Sequence, residues 1–362
     1  MSDMIKKIKI LFNNIRALKN YHRKKVHLDN PPSFIWLEPT NHCNLKCIMC
    51  PTGTGMTSVK KGYMDYGLFK KIIDEVKDYT SAIILAVGGE SLLHPQFFDM
   101  VRYASSNDIK ILLNTNATLL TKEKVEQLLY SGIASISFAF DGFNKETYEK
   151  ARVGADFEKT LDNIFYFLEL KKRKEKKSPY TVLSILMLEI GDCSGEEKEV
   201  FLKKFNGLID EVRLREVSTW GSTFEGVDTF NPRKHDRFFP PCSRLWSTVC
   251  ITWNGDVVPC VYDTNHEYVI GNIKENKLID IWNSNKMLKL RQSMLDGDYL
   301  DLLPLCGNCI VLGTPPIVGI PSGIRLSLTD AVTNFLGYRF EKIALLIANK
   351  LKKGKFSSIT IE

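Results

Sequence analysis

The 362-residue chain has no apolar run approaching the roughly 18 residues that a membrane span requires. Its first residues, MSDMIKKIKILFNN, lack the apolar stretch and small-residue cleavage site of a secretory signal. A cytoplasmic location is therefore expected, where thiols stay reduced. The sequence also lacks a P-loop, a dinucleotide glycine fingerprint and a Ser-His-Asp set. GGES falls short of the G-x-G-x-x-G spacing, and His42, His94, His235 and His266 stand in unrelated contexts.

Cysteine, by contrast, is well represented. Nine cysteines, an odd number clustered at short spacings, read as metal or cluster ligands before disulfides in a reducing compartment. With 44% hydrophobic and 25% charged residues, the chain is ordinary globular material, long enough for a barrel-sized domain plus a smaller one. A net charge of +7 points to an anionic partner without naming one.

That charge is unevenly placed. Residues 1–30 carry eight Lys or Arg against Asp3 and Asp29, and Ile5, Ile8, Phe12, Ile15 and Leu18 recur at helical spacing. A basic amphipathic helix is expected within residues 1–33, and YRFEKIALLIANKLKKGK repeats its character in a basic helical tail over 314–362. The favoured reading packs the apolar stripe of such a helix on the domain. The alternative lays it on an acidic membrane surface, which would make the protein peripheral to the inner membrane, or against a lipid-linked substrate. The run KKRKEKK, Lys171 to Lys177, reads as a solvated connection; without interleaved aromatics, nucleic acid is not an expected partner.

Between the ends, six β-type runs (SFIWLEPT, AIILAVGGE, KILLNTNAT, ASISFAFDG, YTVLSILMLEI, DEVRLREV) are separated by helical patterns such as YGLFKKIIDEVKDY and FEKTLDNIFYFLELKKR. This order predicts an α/β fold with a parallel sheet, doubly wound or curled into a barrel. Either way, ligands sit at the C-terminal ends of the strands.

The first of those ends carries NHCNLKCIMCP. Cys43, Cys47 and Cys50 form a C-x3-C-x2-C loop, in which three thiolates can each hold one iron of a 4Fe-4S cube and leave the fourth iron open. An open coordination position belongs to a reactive site. Zinc on three cysteines and His42 is the alternative, although His42 adjoins Cys43 and reaches the same metal poorly.

The loop CNLKCIMC resembles the cluster motif of the radical S-adenosylmethionine (SAM) enzymes, in which SAM chelates the open iron through its amino and carboxylate groups. The resemblance runs over about residues 34 to 230 and implies a partial (β/α)6 TIM-like barrel at 34–235. It places Met49 near the adenine. GGESLLHP resembles the GGE motif, with Gly88, Gly89 and Glu90 near the methionine amino group and Ser91 where proline is usual. NTNATLL resembles the TNG strand end, with Asn116 at a ribose-contacting position and Ala117 in place of glycine. Ser137 in SISFAFDG would help to hold SAM, and Arg152 would pair with its carboxylate. A flavodoxin- or ferredoxin-type reductant and oxygen sensitivity are implied as well.

After Pro241 the pattern changes. SRLWSTVCITWNGDVVPCVYD reads as a β-hairpin around Asn254-Gly255, followed by the helical LIDIWNSNKMLKLRQSML and then CGNC. Cys242, Cys260, Cys306 and Cys309 would bring four thiolates together, two from the hairpin region and two from the C-x2-C knuckle. GDVVPC, IGNIKENKLIDIW and LCGNC resemble the auxiliary-cluster region called SPASM, or its shortened twitch form, expected here as a small α+β domain over 236–313. After three cysteines for the SAM cluster and four here, only Cys193 and Cys250 remain, too few for a third cluster, so the single-cluster twitch form is favoured. An all-thiolate zinc knuckle is the alternative.

A second 4Fe-4S cluster with four protein thiolates has no open iron, so its task would be electron transfer. The resemblance thus implies hydrogen abstraction by a 5'-deoxyadenosyl radical and two-electron oxidation of a small or carbohydrate-like substrate, as in the twitch-bearing aminocyclitol dehydrogenases. The alternatives are a peptide-modifying maturase of the sulfatase-maturing or thioether-forming type, and a non-catalytic iron-sulfur protein. Arg213, Arg215 and Glu216, at the end of the sixth run, are the candidate substrate contacts.

Overall fold

The computed structural model describes residues 2–188, 193–215, 240–309, 311–312, 316, 319–325, 328 and 358–359. Glu216, His235 and most of the expected C-terminal tail lie outside the described residues.

Helix α1 (Ser2–His22) opens the chain. Strands β1 (Phe34–Leu37), β2 (Ala82–Leu85), β3 (Lys110–Thr115), β4 (Ser135–Ala139), β5 (Tyr180–Leu186) and β6 (Glu211–Arg215) then pair in parallel, each with the next. Every one lies inside a β-type run of the sequence. The crossovers contain α2 (Tyr66–Val76), α3 (Phe97–Ser106), α4 (Lys122–Tyr130), α5 (Lys145–Ala151), α6 (Phe157–Arg173) and α7 (Gly195–Lys203). This is the α/β partial barrel that the sequence pattern and the resemblance anticipate. Side-chain caps fix the helix starts: Asp65 accepts from Leu68 N, Asp156 from Lys159 N, and Asn144 and Ser194 form capping boxes.

Alternation along the strands separates two faces. Ile35, Ile83, Ile111, Ile136 and Leu183 point to the helices and join a single large core with Phe69, Val101 and Ile164. Each such side chain contributes ~1.5–3 kcal/mol by leaving water. Phe34, Ala82 and Ile84 form a separate cluster on the opposite, lumen face, with Trp36 and Leu112 against it. The register carries that face onward through Asn114, Ser137 and Ser184 to Arg213 and Arg215.

Beyond the barrel, β7 (Thr248–Ile251) adds to the free edge of β1 in parallel. It turns through Asn254-Gly255 into antiparallel β8 (Asp256–Val258), which pairs with β9 (Gly271–Asn272). Gly255 takes φ +90°, the left-handed geometry that the turn asks of glycine. The sheet thus passes unbroken from the barrel into the cysteine-bearing hairpin. At its other edge, β10 (Ser358–Ile359) pairs antiparallel with β6.

Three expectations need correction. The helical pattern over 278–295 is two helices, α8 (Leu278–Trp282) and α9 (Asn285–Asp296), because Ser284 caps α9 through Met287 N. Asn283, at the break, accepts Leu28 N with its side chain at 2.9 Å. The basic run at 171–177 is not wholly solvated: Lys171 is buried in α6 and donates to Asp210 and Thr181. Helix α1 forms but is turned over. Asn13, Asn14, Ala17, Asn20 and Tyr21 are buried, whereas Ile5, Ile8, Phe12 and Ile15 face solvent. Asn13 Nδ2 reaches Tyr79 O at 3.0 Å and Ser33 Oγ at 3.3 Å, so α1 lies across the N-terminal ends of the first strands. Pairing these polar groups with the buried asparagines of α1 outweighs the apolar stripe.

Candidate functional site

The loop bearing Cys43, Cys47 and Cys50 leaves the C-terminal end of β1 and is held on three sides. Glu90 N donates to His42 O at 2.9 Å, which lays the GGE segment along the loop. A Cβ on Gly89 would lie 2.4 Å from His42 O and 2.5 Å from Thr40 O, so only glycine fits there. Asn116 Nδ2 donates to Asn44 Oδ1 at 3.0 Å, tying the end of β3 to the residue after Cys43. From the far side, Lys46 N and Ile48 N donate to Val153 O and Ala151 O at 2.9 and 3.1 Å. Met49 is buried beside Leu45, Cys47 and Ala151.

Glu90 is buried and its carboxylate serves the fold. It accepts Asn116 N at 2.8 Å, Thr115 Oγ1 at 3.0 Å and Leu92 N at 3.2 Å. Burial pushes its pKa up, and these donors together with Arg152 oppose that shift. Ala117 adopts φ +61°, so alanine keeps the turn that glycine would favour, with its N–H on Thr115 Oγ1 at 3.1 Å. Gly88 N donates to Glu38 Oε1 at 3.0 Å. Ser137 lies half-buried on the lumen face of β4.

Arg152 is buried and pairs with Asp141 at 2.6 Å. Its Nε, also buried, has no hydrogen-bond partner; burial works against its charge, but Asp141 and then Cys47 outweigh it and hold the guanidinium charged. An unpaired guanidinium N–H beside the cysteine loop suits an anionic group, either a carboxylate or a cluster. Burial drives the Cys47 thiol up to about 12 and also raises Cys43, so both would need a bound metal to be held as thiolates at neutral pH. The three thiols and this donor fit a SAM-binding iron-sulfur cluster.

The second set fits as well. Cys242, Cys260, Cys306 and Cys309 line one small apolar cavity with Arg244, Leu245, Met294 and Leu303. Tyr262 N points at Cys260 Sγ from 3.4 Å, a backbone donor of the kind that cluster sulfurs accept. Burial raises Cys242 to about 11 and Cys309 to about 12. Burial also works against the Arg244 charge, but Cys260, Tyr262, Cys242 and Cys309 outweigh it and hold the guanidinium firmly charged. Arg244 Nη1 is buried without a partner, and the guanidinium carbon lies 5.2 Å from the Tyr262 ring. Among the described residues, no three His, Cys, Asp or Glu side chains converge on a single metal ion. Cys250 is buried on β7 outside the set, and Cys193 lies near Ser194, far along the chain from either set.

Arg213 and Arg215 share the lumen face but not their surroundings. Arg213 is half exposed and held by Glu211 at 2.8 and 2.9 Å. Arg215 keeps solvent exposure and lies within electrostatic reach of Asp141 on the SAM side and of Tyr262 and Arg244 on the auxiliary side. Sequence reasoning missed Asp141, Glu38, Asn44 and Arg244. Asp141 had a signal, as an acid closing a β run, and so did Glu38.

Comparison with known proteins agrees with this geometry. The Radical SAM superfamily profile matches residues 37–193, and the SPASM iron-sulfur cluster-binding domain profile matches 242–310. An AdoMet-dependent heme synthase of Methanosarcina barkeri is 37% identical over 324 residues, covering 78% of this chain and 90% of the relative. A tungsten-containing aldehyde ferredoxin oxidoreductase cofactor-modifying protein of Pyrococcus furiosus is 26% identical over 332 residues, covering 76% and 86%. Among solved structures, BtrN in complex with AdoMet and 2-DOIA shares the fold at TM-score 0.53 and 20% identity, covering 79% of this chain and 97% of that one. The chain belongs to the radical SAM superfamily and carries a C-terminal SPASM iron-sulfur domain, with a SAM-binding 4Fe-4S cluster, auxiliary iron-sulfur and SAM as its cofactors.

Proposed function

We propose that this enzyme oxidises, by two electrons, a small or carbohydrate-like substrate that carries an anionic group. The observation that carries the reading is the gathering of Cys242, Cys260, Cys306 and Cys309 on one buried cavity, four ligands that leave no position for substrate. When bound, the SAM-side cofactors supply a 5'-deoxyadenosyl radical and the auxiliary cluster supplies an electron acceptor.

The chain's own residues bind and orient. Cys43, Cys47 and Cys50 would hold the first cluster, and Arg152, clamped by Asp141, offers its free Nε to the SAM carboxylate. Ser137, on the lumen face of β4, and Asn116, tied to Asn44 of the cysteine loop, would stand on the cofactor side. Arg215, whose charge is felt by both Asp141 and Tyr262, would take the substrate anion, with Arg213 beside it on the same face of β6. Conversion of a secondary alcohol to a ketone then balances: carbon loses a hydrogen atom, the hydroxyl loses a proton, and one electron leaves. The 37%-identical relative is named for haem synthesis, so carboxylate-bearing haem precursors head the substrates to assay.

A peptide substrate is the second reading. It draws on the exposed Ile48, Met56 and Tyr63 along the cysteine loop, an apolar rim suited to extended side chains. The test is anaerobic turnover of reconstituted enzyme with substoichiometric reductant. Electron return from substrate predicts many products per reductant electron. One product or fewer per reductant electron would sink the oxidative reading.

A further inference from the structure

Five of the twelve exposed large hydrophobic side chains among the described residues, Met4, Ile5, Ile8, Phe12 and Ile15, belong to α1. At 3.6 residues per turn they fall within an arc of about 100°. Lys9, Arg16 and Lys19 are exposed within or beside that arc. From Met4 to Leu28 the segment carries eight Lys or Arg and no acid. The opposite face is committed to the barrel through Asn13 and to the C-terminal region through Tyr21, whose hydroxyl donates to Pro241 O at 2.9 Å. The apolar arc therefore has no task in holding the helix to its own domain.

We propose that α1 docks the enzyme on the surface of an anionic lipid bilayer, with the arc in the headgroup boundary and the flanking cations on lipid phosphates. Charge decides between occupants. A second copy of α1 would set eight cations against eight, and the chain's other amphipathic stretch, YRFEKIALLIANKLKKGK, is itself strongly basic. An anionic interface is the partner that matches both the apolar arc and its rim. Because α1 crosses the N-terminal ends of the strands and the cysteine loop leaves their C-terminal ends, docking keeps the loop clear of the surface.

The test is co-sedimentation of the full-length, cluster-loaded protein with vesicles of neutral phosphatidylcholine or of the same lipid with roughly one third phosphatidylglycerol. Binding is expected on the anionic vesicles, at least about tenfold weaker on the neutral ones and again about tenfold weaker for Ile8→Glu/Phe12→Glu. Both positions are exposed, so the variant should keep its circular dichroism and its SAM cleavage. Three results would overturn the proposal: no binding of the unaltered chain to anionic vesicles, equal binding by the double variant, or a dimer in light scattering that the variant dissolves.

Discussion

Arg152 donates from Nη2 to Asp141 Oδ2 at 2.6 Å, and their side chains are only 9% and 1% exposed. The other Asp141 oxygen accepts Leu186 N at 2.8 Å, so one carboxylate ties α5 to the end of β5 while aiming the guanidinium at the cysteine loop. Asp141→Asn should destabilise the protein by ~3 kcal/mol, because it strands a buried cation. Arg152→Met with Asp141→Leu should recover part of that loss in denaturant unfolding, since the Leu186 N–H is left unpaired, yet SAM affinity by calorimetry should stay at least about tenfold reduced. Full SAM affinity in the double variant would remove Arg152 from the binding site.

Glu38 is buried between Gly88 N at 3.0 Å and Trp253 N at 3.3 Å, and burial lifts its pKa from 4.5 to about 7. The folded chain therefore binds this proton more tightly than the unfolded one. The resulting stability is fully present below about pH 4.5 and is lost as pH rises through about 7, a change on the order of 3 kcal/mol. Denaturant midpoints taken across that window should fall with rising pH in the native sequence and stay flatter in Glu38→Gln. Parallel slopes in the two proteins would show that Glu38 is not the group responsible.

Arg244 sits against the four-cysteine cavity with one buried N–H unpaired. A fixed cation there favours the more negative, reduced state of a cluster. Arg244→Gln should lower the auxiliary midpoint potential by on the order of 100 mV in an EPR-monitored titration, and Arg244→Lys by less. An unchanged potential in the Gln variant would leave Arg244 with a packing role alone.

The cysteine sets make a stoichiometric prediction. Anaerobically reconstituted protein should hold about eight irons with matching sulfide, and a variant lacking Cys43, Cys47 and Cys50 about four. Cys47→Ala should abolish SAM cleavage, whereas Cys306→Ala should retain part of it and form no product. Zinc near one per chain in the triple variant, with iron near zero, would make the second set a structural knuckle.

Strands and cysteine loops were legible because their signals are local. Each β run alternates or is apolar throughout, and C-x3-C-x2-C needs only eight residues to state its ligands. What escaped depends on distant partners. Glu38 meets Trp253 only because β7 adds beside β1, and Arg152 finds Asp141 only because α5 folds back on the end of β4. The face of α1 misled for the same reason: the apolar arc satisfied a helical template, but Asn13 and Asn20 had fixed hydrogen-bond partners in the loops before β1 and β2, and those bonds set the rotation. Ala117 shows a milder case, in which a glycine-favouring turn survives because Thr115, Asn163 and burial hold it.

The junction of β1 and β7 also bears on any attempt to exchange the C-terminal region. Phe34 sits opposite Thr248 and Trp36 opposite Cys250, so the two cysteine sets are spaced by a hydrogen-bonded ruler instead of a hinge. A transplanted region would have to begin with a strand that reads the same notch as Thr248. A one-residue slip would turn Cys250 away from Trp36 and change the spacing between the two cysteine sets.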